Sequence, residues 1–139
     1  MDILEIPFHR HLNIERSGDE EDVFYCMEEH PEVLNHLGTI HACAQLALAE
    51  ATSGGYLIQQ FPELNGKVIP VIRKTEVKYS TPASGKLSSR ASFLSGSREQ
   101  YMVDYMDKSR CIIPVKVEVF NTENKKTLSA VFSWFITSI

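Results

Sequence analysis

Residues 40–61 read IHACAQLALAEATSGGYLIQQF, dense in Ala and Leu and apolar on nearly every face of a helix. A helix of that kind is enclosed on all sides rather than lying half in water. Thr39 stands where an N-cap is expected, Pro62 ends the run, and Gly54-Gly55 either bends the helix or admits a close neighbouring strand. Glu50 is its only charged side chain and the only Asp, Glu, Lys or Arg between Glu32 and Glu63.

The sequence around this helix reads as strands. Val68 to Ser80 sets Val71, Thr75, Val77 and Tyr79 on one side and Lys74, Glu76 and Lys78 on the other. Lys86 to Phe93 alternates more cleanly, with the turn Pro82 to Gly85 before it, so these two strands are expected to form a hairpin. Cys111 to Phe120 and Thr127 to Ile136 are expected to form a second hairpin across the polar turn Asn121 to Lys126. Val115, Val117 and Val119 face one way on its first strand, and Leu128, Ala130, Phe132, Trp134 and Ile136 repeat every second residue on its second. Between the hairpins, Ser97 with Gln100 resembles a capping box, and Tyr101, Met102, Tyr105 and Met106 fall at the spacing of a short covering helix. Val23 to Glu29 is rich in β-formers and stops before Pro31, giving a first strand. Residues 1–16 form an N-terminal docking segment, and the acidic run Asp19 to Asp22 reads as a solvated turn.

One antiparallel sheet against one long helix is an α+β layer design, and 139 residues suit a single domain spanning the whole chain. One sheet cannot enclose a helix on every side. The remaining apolar faces are expected to meet a second copy, which predicts a homodimer, with a dimer of dimers also open.

Composition narrows the function classes. A net charge of −4 argues against a nucleic-acid partner. With no long uninterrupted apolar stretch and the acidic start MDILEIPFHR, no membrane span or signal peptide is expected, and a cytoplasmic protein is the default. Cys26, Cys43 and Cys111 lack a C-x-x-C pair and read as reduced packing thiols. His9 and His11 lie two apart but have no sequence neighbour to finish a metal site, so no metal is expected.

Asn35-His36-Leu37-Gly38-Thr39-Ile40-His41-Ala42, followed by Ala44, Leu46, Leu48, Ala49 and Glu50, resembles the signature of hotdog-fold acyl-CoA thioesterases. The phenylacetate-pathway branch is the nearest in pattern. That branch has an Asn, a His-Gly-Gly turn opening the central helix and an acidic residue nine positions after the His, and Asn35, His41 and Glu50 keep those spacings. The resemblance implies a hotdog fold, an antiparallel sheet wrapped around the long helix. It also implies hydrolysis of a fatty-acyl or aryl-CoA thioester, with coenzyme A part of the substrate and no other cofactor. Two positions depart from the pattern. Ala42-Cys43 replaces Gly-Gly, keeping the amides but narrowing the approach to them. Glu50 stands where the branch more often has Asp, and its extra methylene suits either activation of water or direct attack.

Thioester hydrolysis needs a base or nucleophile and donors for the developing oxyanion. Burial of Glu50 among Ala and Leu is expected to raise its pKa toward that of a general base; the plain alternative is a carboxylate that hydrogen-bonds across a dimer. The free amides of Ala42 and Cys43 at the helix start suit the oxyanion. His41 and Glu50 are about 13 Å apart along a helix and half a turn out of phase, so they cannot serve one substrate within one subunit. Asn35, His41 and the Ala42 amide of one protomer are then expected to face Glu50 of the other, with Asn35 positioning water or thioester. His36, Gly38, Thr39 and Cys43 are expected to line the substrate. Lys74, Lys78, Lys86, Arg90, Arg98, Lys108 and Arg110 are the cations from which a subset would meet the phosphates. Two alternatives use the same residues: a non-catalytic acyl-CoA-binding protein, and a hydroxyacyl-carrier-protein dehydratase in which His36 and Glu50 exchange protons.

Overall fold

The computed structural model describes residues 1–18 and 24–139, so the expected acidic turn at Asp19–Asp22, and Val23, lie outside the described residues. The central helix α2 spans Ala42–Gln60. Its start is later than expected because Ile40 and His41 are still extended. The Ile40 N–H donates to the Ala83 carbonyl (2.8 Å) and the His41 N–H to that of Val33 (2.7 Å). His41 therefore replaces Thr39 as the N-cap, its Nδ1 accepting the Cys43 N–H at 2.9 Å.

The sheet has the order β1-β2-β4-β5-β6-β3, every pair antiparallel. Its strands are β1 (Glu15–Arg16), β2 (Tyr25–Glu28), β3 (Val68–Tyr79), β4 (Lys86–Phe93), β5 (Arg110–Phe120) and β6 (Lys126–Ser138). This is the expected α+β hotdog arrangement. The β5–β6 hairpin forms as read from the sequence. Val115, Val117, Val119, Leu128, Ala130, Phe132, Trp134 and Ile136 all face inward and are buried.

The first expected hairpin does not form. β3 pairs with β6 at one edge, while β4 lies between β2 and β5. The link between β3 and β4 crosses the width of two intervening strands, about 14 Å at ~4.8 Å per strand. Six extended residues span that distance. The link is tied down on the way: Ala83 is buried, and the Gly85 N–H meets Glu29 Oε1 at 3.2 Å.

β3 also differs in its facing. A bulge at Arg73, between the Ile72↔Trp134 and Lys74↔Ser133 pairs, resets the alternation. Val71, opposite Phe135, therefore points away from the helix, whereas Thr75, Val77 and Tyr79 share the inner face with Phe132, Ala130 and Leu128.

Helix α2 packs across β2, β4, β5 and β6. Gly55 is required here for close approach rather than bending, because a Cβ would sit 2.8 Å from Tyr25 Cζ on β2. Buried Thr52 and Ser89 join their hydroxyls, and Ser89 Oγ donates on to the Tyr25 carbonyl (2.9 Å). The enclosure of α2 is incomplete. Ala47, Leu48, Ala49 and Ala51 are buried, but Cys43 is exposed and Leu46 and Glu50 are half-covered. Spaced three and four apart, Cys43, Leu46 and Glu50 form one uncovered stripe.

The N-terminal segment folds into a 3-10 turn at Ile3–Glu5 and a short helix α1 (Pro7–His11). Ile3, His9, Leu12 and Ile14 are buried. Helix α3 (Arg98–Lys108) is capped by Ser97 Oγ, which accepts the Gln100 N–H at 3.2 Å. It places Tyr101 against Phe93 (5.3 Å between centroids) while Val103 and Met106 face water.

Candidate active site

The opening of α2 is shaped by a turn that Asn35 organises. Its Oδ1 accepts the N–H groups of Leu37 (2.9 Å) and Thr39 (3.1 Å), and its Nδ2 donates to Thr39 Oγ1 (2.8 Å). Gly38 closes the turn at φ +75°, a conformation that a side chain would strain. Asn35 and Thr39 thus spend their polar atoms on each other, and His36 stands exposed on the turn.

At the helix start the two amides differ. The Cys43 N–H is committed to His41 Nδ1, while the Ala42 N–H has no acceptor among the described residues. Because His41 Nδ1 accepts, its lone pair is engaged and the neutral ring carries its proton at Nε2. The exposed start of α2 therefore presents one backbone donor and one imidazole donor. Beside them the Tyr79 hydroxyl, at the end of β3, donates to the Ala42 carbonyl at 3.1 Å. Partial burial raises the Tyr79 pKa above its ordinary value.

Glu50 lies two turns further along. Its side chain is 34% exposed, so the chain by itself does not sink the carboxylate among Ala and Leu as expected. Its partner lies in the N-terminal segment. His9 Nε2 is 3.1 Å from Glu50 Oε2, and His9 Nδ1 is 2.8 Å from the Ile3 carbonyl. The imidazole is itself buried, at 5% exposure. The hydrogen bond to Glu50 raises the His9 pKa above its ordinary value, outweighing the lowering by burial. In the sequence His9 stands out only beside His11, which stays on the surface. What could have marked it is a histidine inside an otherwise apolar docking segment, since a buried imidazole calls for a polar partner.

Within one chain His41 and Glu50 stay apart, and no contact joins His36 to Glu50. Several cations are spoken for: Arg98 bonds the Gln60 carbonyl (2.6 Å) and Glu63, and Lys74 pairs with Glu76 (2.6 Å). Lys86 and Arg90 line one open cleft with Ser88 and Asn121, and Lys108 and Arg110 line another with Arg73 and Phe135. An apolar cavity of about 200 Å³ lies at the other end of α2, among Leu57, Phe61, Leu64, Val68 and Ile136. Ile3 packs over Gly54 between that cavity and Glu50. Among the described residues no helix is long and apolar enough to cross a membrane, and no cluster of three or more His, Cys, Asp or Glu is able to hold a metal.

The family model described as Domain of unknown function (DUF4442) matches residues 16–136. The chain belongs to this family. No curated protein matches this DUF4442 chain. Solved structures do. A protein from Pseudomonas aeruginosa described as a probable thioesterase is similar with a TM-score of 0.82 at 17% identity, over 99% of this chain and 91% of that one. A thioesterase from Haemophilus influenzae aligns with a TM-score of 0.75 at 20% identity, over 98% and 86%. A Bacillus halodurans protein solved with CoA aligns with a TM-score of 0.68 at 20% identity, over 90% and 72%. At these identities the likeness carries the fold, which is the hotdog fold of thioesterases.

Proposed function

We propose that this DUF4442 chain is an acyl-CoA thioester hydrolase, working as a cytoplasmic homodimer with a site shared between subunits. The observation that carries the reading is the uncovered stripe of α2, which places a carboxylate at one end and free donors at the other. A two-fold axis through the stripe's midpoint, between Leu46 and Ala47, sets Glu50 of each helix opposite Cys43 of the other. Packed helices lie about 8–10 Å apart, close enough for a substrate held at one helix start to meet the acid of its neighbour. The long edge strand β3 also favours a second copy, since among the described strands it pairs only with β6 and keeps Ile69, Val71, Val77 and Tyr79 exposed. The thioesterases and CoA-bound protein that share the fold support the substrate class.

In this reading the thioester carbonyl rests on the Ala42 amide and His41 Nε2–H, with Asn35 holding the turn that aims them. Glu50 of the other subunit takes a proton from water as its oxygen bonds to the carbonyl carbon. Collapse of the oxyanion breaks the carbon–sulfur bond, and the CoA thiolate recovers the proton from Glu50. The fatty-acyl or aryl group occupies the space between the helices. The Lys86–Arg90 and Lys108–Arg110 clefts are two places where the phosphates of CoA would find cations that form no ion pair among the described residues.

The test is a panel of fatty-acyl and aryl-CoA thioesters assayed for released thiol, with Glu50→Gln as the control. Loss of the base is expected to lower kcat by about 10²–10⁴-fold. Near-full activity in Glu50→Gln overturns the mechanism, and CoA binding with no thiol release by the unaltered protein favours a non-catalytic acyl-CoA-binding role.

A further inference from the structure

The buried contact between His9 and Glu50 constrains where a proton must sit. The Ile3 carbonyl can only accept, so the ring nitrogen facing it, Nδ1, carries a hydrogen. A neutral ring protonated at Nδ1 has a bare lone pair at Nε2. That lone pair would then face an ionised Glu50 oxygen at 3.1 Å, acceptor against acceptor. A proton on the Nε2–Oε2 line removes the conflict, leaving either an imidazolium beside a carboxylate or a neutral ring beside a carboxylic acid. The ordinary affinities of the two groups differ by about two pH units in favour of the ring. The ring, as the stronger base, takes the proton in preference, which favours the ion pair.

We propose that His9 is the positioning residue of this site: clamped by Ile3, its imidazolium holds Oε2 of Glu50, leaving the other oxygen ionised and aimed at substrate. The proposal rests on the hydrolase reading for its catalytic half and on the geometry alone for its protonation half. During turnover the proton from water goes to Oε1 and returns from there to the leaving sulfur, so the Nε2 proton stays in place and the step balances. Among the described residues no other charged group is hydrogen-bonded to the His9 ring. On its own helix Arg10 reaches Glu5 (3.8 Å) and His11 lies on the surface; at the N-terminus Asp2 is held by Arg16 (3.2 Å); from α2 only Glu50 meets the ring, among the described residues. The raised affinity of His9 for its proton agrees with this arrangement.

Above the pH at which His9 loses the Nε2 proton, two lone pairs face each other and the carboxylate swings toward water, so kcat falls on the alkaline side. His9→Gln keeps an amide donor near the Nε2 position but cannot titrate. It is expected to retain activity within about threefold while losing that alkaline limb, whereas His9→Ala is expected to lower kcat about tenfold or more with KM little changed. A purely structural His9 would leave the shape of the pH profile unchanged in both variants, and that result overturns the proposal. Nitrogen NMR of the ring provides a readout independent of turnover. Both ring nitrogens of His9 are expected to be protonated at pH 6.5 in the unaltered protein, with the titration displaced to lower pH in Glu50→Gln. A bare Nε2 at pH 6.5 overturns the proposal. If no thioester is hydrolysed, the hydrolase reading fails, and the same titration still decides whether His9 holds its proton against Glu50.

Discussion

Gly54 and Gly55 are neighbours on one helix yet meet different surroundings. A Cβ on Gly55 would collide with the rigid Tyr25 ring, whereas one on Gly54 would meet the movable end of Ile3 at 3.3 Å. Alanine in a helix interior gains up to about 1 kcal/mol over glycine. Gly54→Ala is therefore expected to leave stability within about 1 kcal/mol, the propensity gain offsetting a small shift of Ile3. Gly55→Ala is expected to cost about 1–3 kcal/mol net, because ring and strand must move together. Chemical denaturation of the two variants checks the contrast, and equal stabilities would show that β2 does not press on the helix as described. At this scale the sequence was legible in part. Glu50 stood out because it is the lone charge in an apolar run. His9 did not, since its meaning depends on a partner 41 residues away that only folding brings near.

Elements were easier to read than their pairing. Alternation identified β4, β5 and β6, and the β5–β6 hairpin followed from a short polar turn between two matching patterns. The same local argument misplaced β3, because a six-residue link can close a hairpin or cross a sheet, and the choice is made by which edge still needs a partner. The bulge at Arg73 is equally hidden, since it is a shift of pairing that no residue type in the strand marks, yet it reverses the facing of every side chain beyond it. The uncovered stripe of α2 yields a prediction at this scale. Leu46→Arg sets two like charges face to face across the proposed two-fold axis, and it is expected to yield a monomer by sedimentation with helical circular dichroism retained. Since Glu50 would then lose the opposing helix start, hydrolysis is expected to fall with it. A variant that remains dimeric removes α2 from the interface.

For the whole molecule, the docked N-terminus makes stability depend on pH. His9 binds its proton more tightly in the fold than in the unfolded chain. A group raised in this way contributes its full stabilisation below its unfolded pKa, about 6.5, and loses it as pH rises through the folded value. The melting temperature is thus expected to decline on going from pH 6 toward alkaline conditions, and His9→Gln is expected to flatten that decline. An unchanged slope in the variant would assign the dependence to other groups. The docked N-terminus also explains why the candidate site is only half legible in the sequence: the helix start is a local motif, but the partner of Glu50 comes from the distant segment that carries His9.

Trp134 is the chain's single tryptophan. Its indole N–H donates to Ser53 Oγ at 3.0 Å, and that hydroxyl donates to the Glu50 carbonyl at 2.7 Å. The helix turn that carries the acid is therefore wired to the only indole in the molecule. A shift of that turn is expected to reach the ring through these two hydrogen bonds, so tryptophan emission followed while the His9–Glu50 pair is titrated offers a label-free readout of the proposed site.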